Sequence, residues 1–248
     1  TYAKIYHELF VYYRNNGRQK PNSPELSKII KQFDIDVFNE TVAQKSFHTC
    51  YLYPLILAYH RLVSNQVVNA FDSFKDVIDI WQANNNFINA YPERYRNLIN
   101  NYLNLSLSLR RFDNGFFSYL TLLQEQKTTS AAQKAFNFQD VYFLKLRYAL
   151  NAPQLEKCPA LIAEIKNKLK RYRFFIPSSR KIAIYNNIKS YFLLKEEYPK
   201  AAEWAAGLRN TMAKTEQRAD LQARLKTFSL IFEYENYPRV DLHTRVAS

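Results

Sequence analysis

The chain has 248 residues, and its hydrophobic content of 47% is enough for a sizeable core. Only 3 residues are Gly, which excludes Gly-rich phosphate-binding loops and disfavours folds rich in β-hairpins. The formal net charge of +13 is unevenly distributed: residues 1–125 carry 13 basic and 11 acidic side chains, whereas residues 126–248 carry 22 and 11. The positive field therefore belongs to the second half of the chain.

Clusters of turn-forming residues divide the chain at nearly regular intervals. One set is centred near residues 20, 66, 113, 153 and 198, and a second set falls between these, so the chain turns roughly every 22 residues. Between the turns, apolar residues recur at helical spacing, as in residues 95–109 and 182–192. Residues 34–38, "DIDVF", are too short and isolated to indicate a sheet.

This pattern predicts an all-α fold. We expect a right-handed α-solenoid of antiparallel helical hairpins with a period of about 43 residues and roughly 10 to 11 helices, in one domain over residues 1–248. The predicted helical pairs cover residues 1–36, 40–84, 91–127, 131–174 and 178–213, and a final helix covers residues 216–236.

Local residue chemistry predicts where some of these helices begin and bend. Pro92 and Glu93 suit a first helical turn, because a missing N–H donor costs nothing there and a carboxylate complements the helix dipole. Ser178 or Ser179, after Pro177, is a natural N-cap. Pro54 lies inside an apolar segment and is expected to kink or split that helix.

The segment "AIYNNIKSYFLLKEEYPKAAEWAAGL", residues 183–208, resembles a tetratricopeptide repeat. The family's aromatic, aliphatic and small packing positions are matched by Tyr185, Ile188, Phe192, Tyr198, Ala201 and Ala205. Lys189 stands where the family has a small residue in the first helix. A weaker match covers residues 98–120, two periods earlier. The resemblance implies a superhelix whose concave surface binds peptides or protein partners. The chain is accordingly interpreted as a fragment of a bacterial tetratricopeptide-like protein.

No set of residues forms a recognisable catalytic or metal-binding motif. Cys50 and Cys158 lie far apart without a CxxC partner and are interpreted as small buried residues. The four His show no HExxH spacing, and His60 is expected to be structural or solvated. Asp72, Asp76 and Asp79 share one helix face, which we interpret as solvated rather than as a cation site. We therefore predict no enzymatic activity, no cofactor and no metal.

The one serious candidate for a functional surface is residues 165–195, which hold nine Lys or Arg and no acidic side chain. Three interpretations stay open: a solvated helix end with buried aromatics, a surface for an acidic protein or peptide, and a phosphate-binding surface for nucleic acid. Phe174, Phe175 and Ile176 are expected to cover the next helical pair. Asn186 and Asn187 are candidates to hold a peptide backbone on the concave face. The candidate binding residues are Lys166, Lys168, Lys170, Arg171, Arg173, Arg180, Lys181, Asn186, Asn187 and Lys189.

The function predicted from these features is that of a non-enzymatic helical-repeat scaffold for another protein or an acidic peptide. The alternatives are nucleic-acid binding through residues 165–195 and a purely structural domain of a larger protein. No apolar run is long enough to span a membrane, and no leader precedes the first helix, so a cytoplasmic location is expected. Because the chain begins with Thr rather than Met, we expect a trimmed chain or a fragment, and export of the full protein stays open.

Overall fold

The computed structural model describes residues 2–16, 24–31, 46–125, 130–152 and 154–212, together with residues 227, 230 and 231. Within these residues the chain forms eleven α-helices and one 3-10 helix, and it forms no strand. The prediction of an all-α fold is therefore confirmed for the described residues. Residues 34–38 lie outside them, as does the predicted final helix at 216–236 apart from the three isolated positions.

The chain divides into two compact units, residues 1–123 and residues 124–248. The expectation of one repeat domain stays a prediction. The helices of the first unit are α1 (Tyr2–Asn16), α2 (Pro24–Ile30), α3 (Phe47–Val63), α4 (Val67–Gln82), α5 (Asn85–Ala90), α6 (Pro92–Leu109) and α7 (Asn114–Glu125), whose last two residues belong to the second unit.

Aromatic side chains join the helices of the first unit. α3 and α4 are antiparallel, because residues near the start of α3 contact the end of α4: the ring centroids of Tyr51 and Trp81 lie 5.3 Å apart. Phe71 of α4 stacks on Tyr102 of α6 at 4.6 Å. Such ring pairs stabilise a core beyond the area they bury. The first unit is therefore held by sequential helix pairing, as a helical repeat requires.

Two predictions from the sequence, for Pro92 and for Pro54, concern helices of the first unit. α6 begins with Pro92 in its first turn and Glu93 beside it, as predicted. The expectation that Pro54 splits its helix is wrong, because α3 runs without a break from Phe47 to Val63. Pro54 is itself buried, and the apolar residues that flank it, Leu52 and Leu55, are buried too. Packing on both sides outweighs the one backbone hydrogen bond that Pro removes.

Among its described residues the second unit contains four long helices that share a hydrophobic core. They are α8 (Ala131–Asn151), α9 (Cys158–Arg171), α10 (Ser178–Leu194) and α11 (Tyr198–Met212), and a short 3-10 helix (Leu155–Lys157) precedes α9. Ser130 and Gln133 form a capping box that fixes the start of α8. Both α9 and α10 pack on α8, and α11 packs on α10. α8 therefore lies at the centre of the contacts that position residues 165–195.

α10 and α11 form an antiparallel hairpin over the segment that resembles a tetratricopeptide repeat. Tyr185 meets Trp204 edge to face at 5.3 Å, and Ile182 near the start of α10 packs with Met212 at the end of α11. Ile188 and Ala201, two of the packing positions, are fully buried. Of the packing positions that the resemblance assigns, Phe192 and Ala205 are buried in the same core as well, whereas Tyr198 is half-buried.

The predicted Ser cap of α10 is wrong. Pro177 occupies the N-cap position in extended backbone, Ser178 is already the first helical residue, and no side chain caps the helix. The Pro ring fixes φ at about −65°, a value that suits extended polyproline backbone immediately before a helix. Pro177 therefore stops the preceding turn and sets the direction of α10 without a cap.

Both cysteines are free, and Cys158 is buried while Cys50 is half-buried. Burial, with a smaller contribution from Glu156, raises the pKa of the Cys158 thiol, which disfavours the reactive thiolate. In the part of the chain that the structure describes, no helix combines the length and the apolar character needed to cross a bilayer.

The turn between α10 and α11 offers a test of this hairpin. Glu196 adopts the left-handed conformation with φ 58°, whereas Lys195 has an ordinary φ of −96°. A residue with a Cβ costs conformational free energy in the left-handed region, and Gly does not. Glu196→Gly is therefore expected to raise the free energy of unfolding by about 0.5 to 1 kcal/mol, measured by urea denaturation.

The matched control is Lys195→Gly, which is expected to lower the free energy of unfolding by about 0.5 to 1 kcal/mol. At this position Gly relieves no strain, and it increases the conformational entropy of the unfolded chain. A lower stability of Glu196→Gly than of the wild type would contradict this turn geometry.

Candidate functional site

α9 ends in a turn that carries a cluster of exposed cations and aromatic rings. The helix stops at Arg171, and two backbone hydrogen bonds hold the turn: Tyr172 N–H donates to Lys168 O at 2.8 Å, and Phe175 N–H donates to Tyr172 O at 2.9 Å. The last helical turn contains Lys168, Lys170 and Arg171, which complement the negative end of the helix dipole. We name Lys170, Arg171, Arg173, Phe174 and Phe175 the basic-aromatic tip.

The aromatic residues of this turn point in different directions. Tyr172 and Ile176 are buried in the core of the second unit, at 9% and 4% exposure. Phe174 is 83% exposed and Phe175 is 45% exposed. The expectation that Phe174 and Phe175 cover the next helical pair is therefore wrong. With residues 172 and 176 both anchored in the core, the chain between them passes over the outside of the unit.

The cations of the basic-aromatic tip are not neutralised. Lys170, Arg171 and Arg173 are exposed, and none of them lies within ion-pair distance of a carboxylate in the described part of the chain. The Arg173 guanidinium lies 4.5 Å from the centroid of the Phe174 ring, and that of Arg171 lies 5.5 Å from the centroid of Tyr172. Cation–π contact of this kind keeps the charge and the ring side by side. The tip therefore presents an apolar face edged with positive charge.

Two other predicted cations are paired with carboxylates, one on a neighbouring helix and one on the same helix. Lys166 lies 3.7 Å from the Glu203 carboxylate of α11 and 5.2 Å from the centroid of the Trp204 ring. Lys168 lies 3.6 Å from the Glu164 carboxylate on its own helix. Exposed pairs of this kind contribute little to stability, but they cancel the positive charge at that position. Lys166 and Lys168 are therefore weaker anion sites than the tip.

Arg180 and Lys181 brace the structure beside the tip. Arg180 of α10 lies 3.3 Å from the buried carboxylate of Asp140 on α8. The Lys181 ammonium donates to the backbone oxygen of Arg173 at 2.9 Å, across the turn. Each cation thus satisfies a group of the protein itself. Their contribution to a binding surface is to fix the position of the turn.

The three candidates on the middle of α10 differ in exposure. Lys189 is buried, with 5% exposure, which does not favour the predicted role in binding. Asn186 and Asn187 are half-buried, and the buried Asn187 Nδ2 has no hydrogen-bond acceptor among the described residues. A role for either Asn in holding a peptide stays a prediction.

The other titratable clusters in the described residues have structural explanations. Burial, and Arg61 beside it, lower the pKa of His60, which keeps the imidazole neutral. Burial, together with Asp79 and Asp72, raises the pKa of Asp76. Within the described ranges no group of three His, Cys, Asp or Glu side chains is arranged to hold a metal.

Sequence reasoning missed a cavity of about 220 Å³ in the second unit. Its lining includes Lys134, Asn137, Phe138, Tyr142, Lys168 and Tyr172. Only Lys168 was a candidate, because residues on α8 and α9 that meet across the helix pair are separated by 20 to 40 positions in the chain. No motif in the sequence marks this set. Helical periodicity places the rings on the core side but does not show that they leave a space.

No family model matches the sequence, and no curated protein or solved structure is similar to it. The functional interpretation therefore rests on the geometry of the second unit.

The exposure difference within the turn gives a direct prediction. Phe174→Ala is expected to change the free energy of unfolding by no more than about 0.5 kcal/mol, because the ring is already in solvent. Tyr172→Ala, two residues away, removes a buried ring and is expected to cost about 3 kcal/mol or more. Both are measured by urea denaturation. Equal losses for the two variants would contradict the described turn.

Proposed function

We propose that this chain is a non-enzymatic helical-repeat scaffold that binds a protein partner through an acidic segment at the basic-aromatic tip. The proposal rests on one observation. Phe174, which is 83% exposed, lies in the same turn as three cations that have no carboxylate partner among the described residues. Exposed aromatic and Arg side chains are the residue types that dominate binding energy at protein interfaces. The charges would attract an acidic segment, and the rings would bury its apolar side chains.

The scaffold part of the proposal is supported by the order of the helices. The first helices of four successive pairs begin at residues 47, 92, 131 and 178, which gives spacings of 45, 39 and 47 residues. These spacings agree with the expected period of about 43 residues. A right-handed α-solenoid of the tetratricopeptide type accounts for both this spacing and the packing of α10 on α11. In such a fold a preformed surface binds its partner without an ordering cost.

A peptide partner accounts for the tip better than a nucleic acid does. Phosphate binding requires several cations along a continuous track, but Lys166, Lys168 and Arg180 are engaged with carboxylates of the same unit. The three cations that remain cluster in one turn beside two exposed Phe rings. This arrangement suits a short acidic segment with one or two apolar residues. Nucleic-acid binding is the second candidate, since Phe174 could stack on an unpaired base.

The proposal is tested by fluorescence anisotropy with a labelled peptide of alternating Glu and Leu. The variant in which Lys170, Arg171 and Arg173 are each replaced by Gln is expected to bind about tenfold more weakly, since each exposed charge contributes up to about 1 kcal/mol. Phe174→Ala is expected to weaken binding without changing its dependence on salt concentration.

The matched control replaces Lys75, Lys157 and Lys195 by Gln, which removes the same charge from exposed positions outside the tip. It is expected to bind as the wild type does. If a single-stranded oligothymidine binds more tightly than the peptide at physiological salt, the surface is a nucleic-acid site and the proposal fails. If neither ligand binds, the structural interpretation replaces it.

A further inference from the structure

A cavity in the same unit is lined by none of the residues that form the tip. The cavity between α8 and α9 has a volume of about 220 Å³, several times that of a water molecule but below that of most drug-sized ligand pockets. It accommodates about one ring with a small polar group. Every residue that lines it belongs to the second unit, so its shape depends only on contacts within that unit.

Three aromatic rings form the apolar part of the cavity. The centroids of Phe138 and Tyr142 on α8 lie 5.2 Å apart, and Tyr172 at the end of α9 lies 6.0 Å from Phe138. Phe138 and Tyr172 are buried, so the helix pair fixes their positions. The hydroxyl of Tyr142 donates to the Glu164 carboxylate, which leaves its ring as the group that faces a ligand. The Lys168 ammonium lies over the rings of Phe138 and Tyr142, so these rings line the cavity beside a cation.

The charged side chains at the cavity favour an anion. Lys134 and Lys168 both line it, and Lys134 has no carboxylate partner in the described ranges. Lys168 lies 4.9 Å from the centroid of Tyr142 and 3.6 Å from Glu164. Two ammonium groups and one carboxylate leave a net charge of about +1, which a monoanion neutralises. A carboxylate matches this balance better than a phosphate dianion does.

The amide oxygen of Asn137, which lines the cavity, lacks a hydrogen-bond donor among the described residues. Its Nδ2 donates to the backbone oxygen of Gln124 at 3.5 Å, but its Oδ1 is buried and receives no hydrogen bond from any described residue. A buried acceptor without a donor costs free energy, and a ligand O–H or N–H that reaches this oxygen would supply that donor. We propose that this cavity binds a small aromatic carboxylate that carries a hydroxyl or N–H donor beside the carboxylate.

The test uses mandelate, which combines a ring, a carboxylate and a hydroxyl, in isothermal titration calorimetry at low salt. Three analogues each remove one feature: 1-phenyl-1,2-ethanediol lacks the carboxylate, lactate lacks the ring and phenylacetate lacks the hydroxyl. Mandelate is expected to bind saturably. The affinity of each analogue is expected to be lower by a factor of about five or more. Absence of saturable mandelate binding, or an analogue or inorganic phosphate that binds as tightly, overturns the proposal.

Variants separate this site from the tip. Lys134→Gln is expected to weaken mandelate binding about fivefold, and because Lys134 is exposed it leaves folding intact, as circular dichroism checks. The control Lys170→Gln with Arg173→Gln removes two charges from the tip and is expected to leave mandelate binding unchanged. If Lys134→Gln binds mandelate as the wild type does, the proposal is overturned. Failure of the acidic-peptide experiment leaves this result unaffected, since the two ligands contact different residues.

Discussion

The burial of Tyr172 and Ile176 is the constraint on which the candidate surface depends. These two residues attach the end of α9 to the core of the second unit, and each contributes roughly 1.5 to 3 kcal/mol of apolar burial. The three residues between them, Arg173, Phe174 and Phe175, must then follow the outside of the unit. Exposure of Phe174 is thus a consequence of core packing on both sides of it. Lys181 strengthens the same arrangement by donating to the Arg173 backbone oxygen.

The division of the cations into two groups follows from the same packing. One group consists of cations engaged by carboxylates: Lys166 pairs with Glu203 of α11, and Lys168 pairs with Glu164 on α9 itself. Lys170, Arg171 and Arg173, at the end of α9 and just past it, have no carboxylate partner among the described residues. Arg171 lies beside the Tyr172 ring and Arg173 beside the Phe174 ring. At physiological salt, screening limits their field to about 8 Å. A partner must therefore come close to the turn, where the exposed rings are.

The features that could be predicted from the sequence are those that depend on helical periodicity alone. In the apolar stripe of residues 95–109, Leu98, Ile99 and Leu103 are buried as the spacing indicated. The start of the same helix was predicted from Pro92 and Glu93. The direction of the ring at Phe174 could not be predicted, because it depends on the anchors at residues 172 and 176 after the helix has ended. Periodicity no longer applies there.

Other outcomes depended on contacts between distant residues. Lys189 was assigned to the surface by its charge, although its match to a small packing position of the tetratricopeptide family indicated burial. Asp140, which meets Arg180, lies 40 residues earlier in the chain, and Lys134 and Asn137 approach Tyr172 only through the packing of α8 on α9. Such contacts need the path of the chain in three dimensions. That path cannot be deduced from a single sequence that carries no recognisable motif.

The central claim is that the tip is an exposed, cationic and aromatic surface which an acidic peptide covers. It is tested most directly by the fluorescence of a Phe174→Trp variant, because the natural Trp81 and Trp204 are both buried. The account predicts red-shifted emission that iodide quenches more strongly than caesium does, and that the Glu-Leu peptide protects from iodide. Blue-shifted emission without quenching, or quenching that the peptide leaves unchanged, would contradict it.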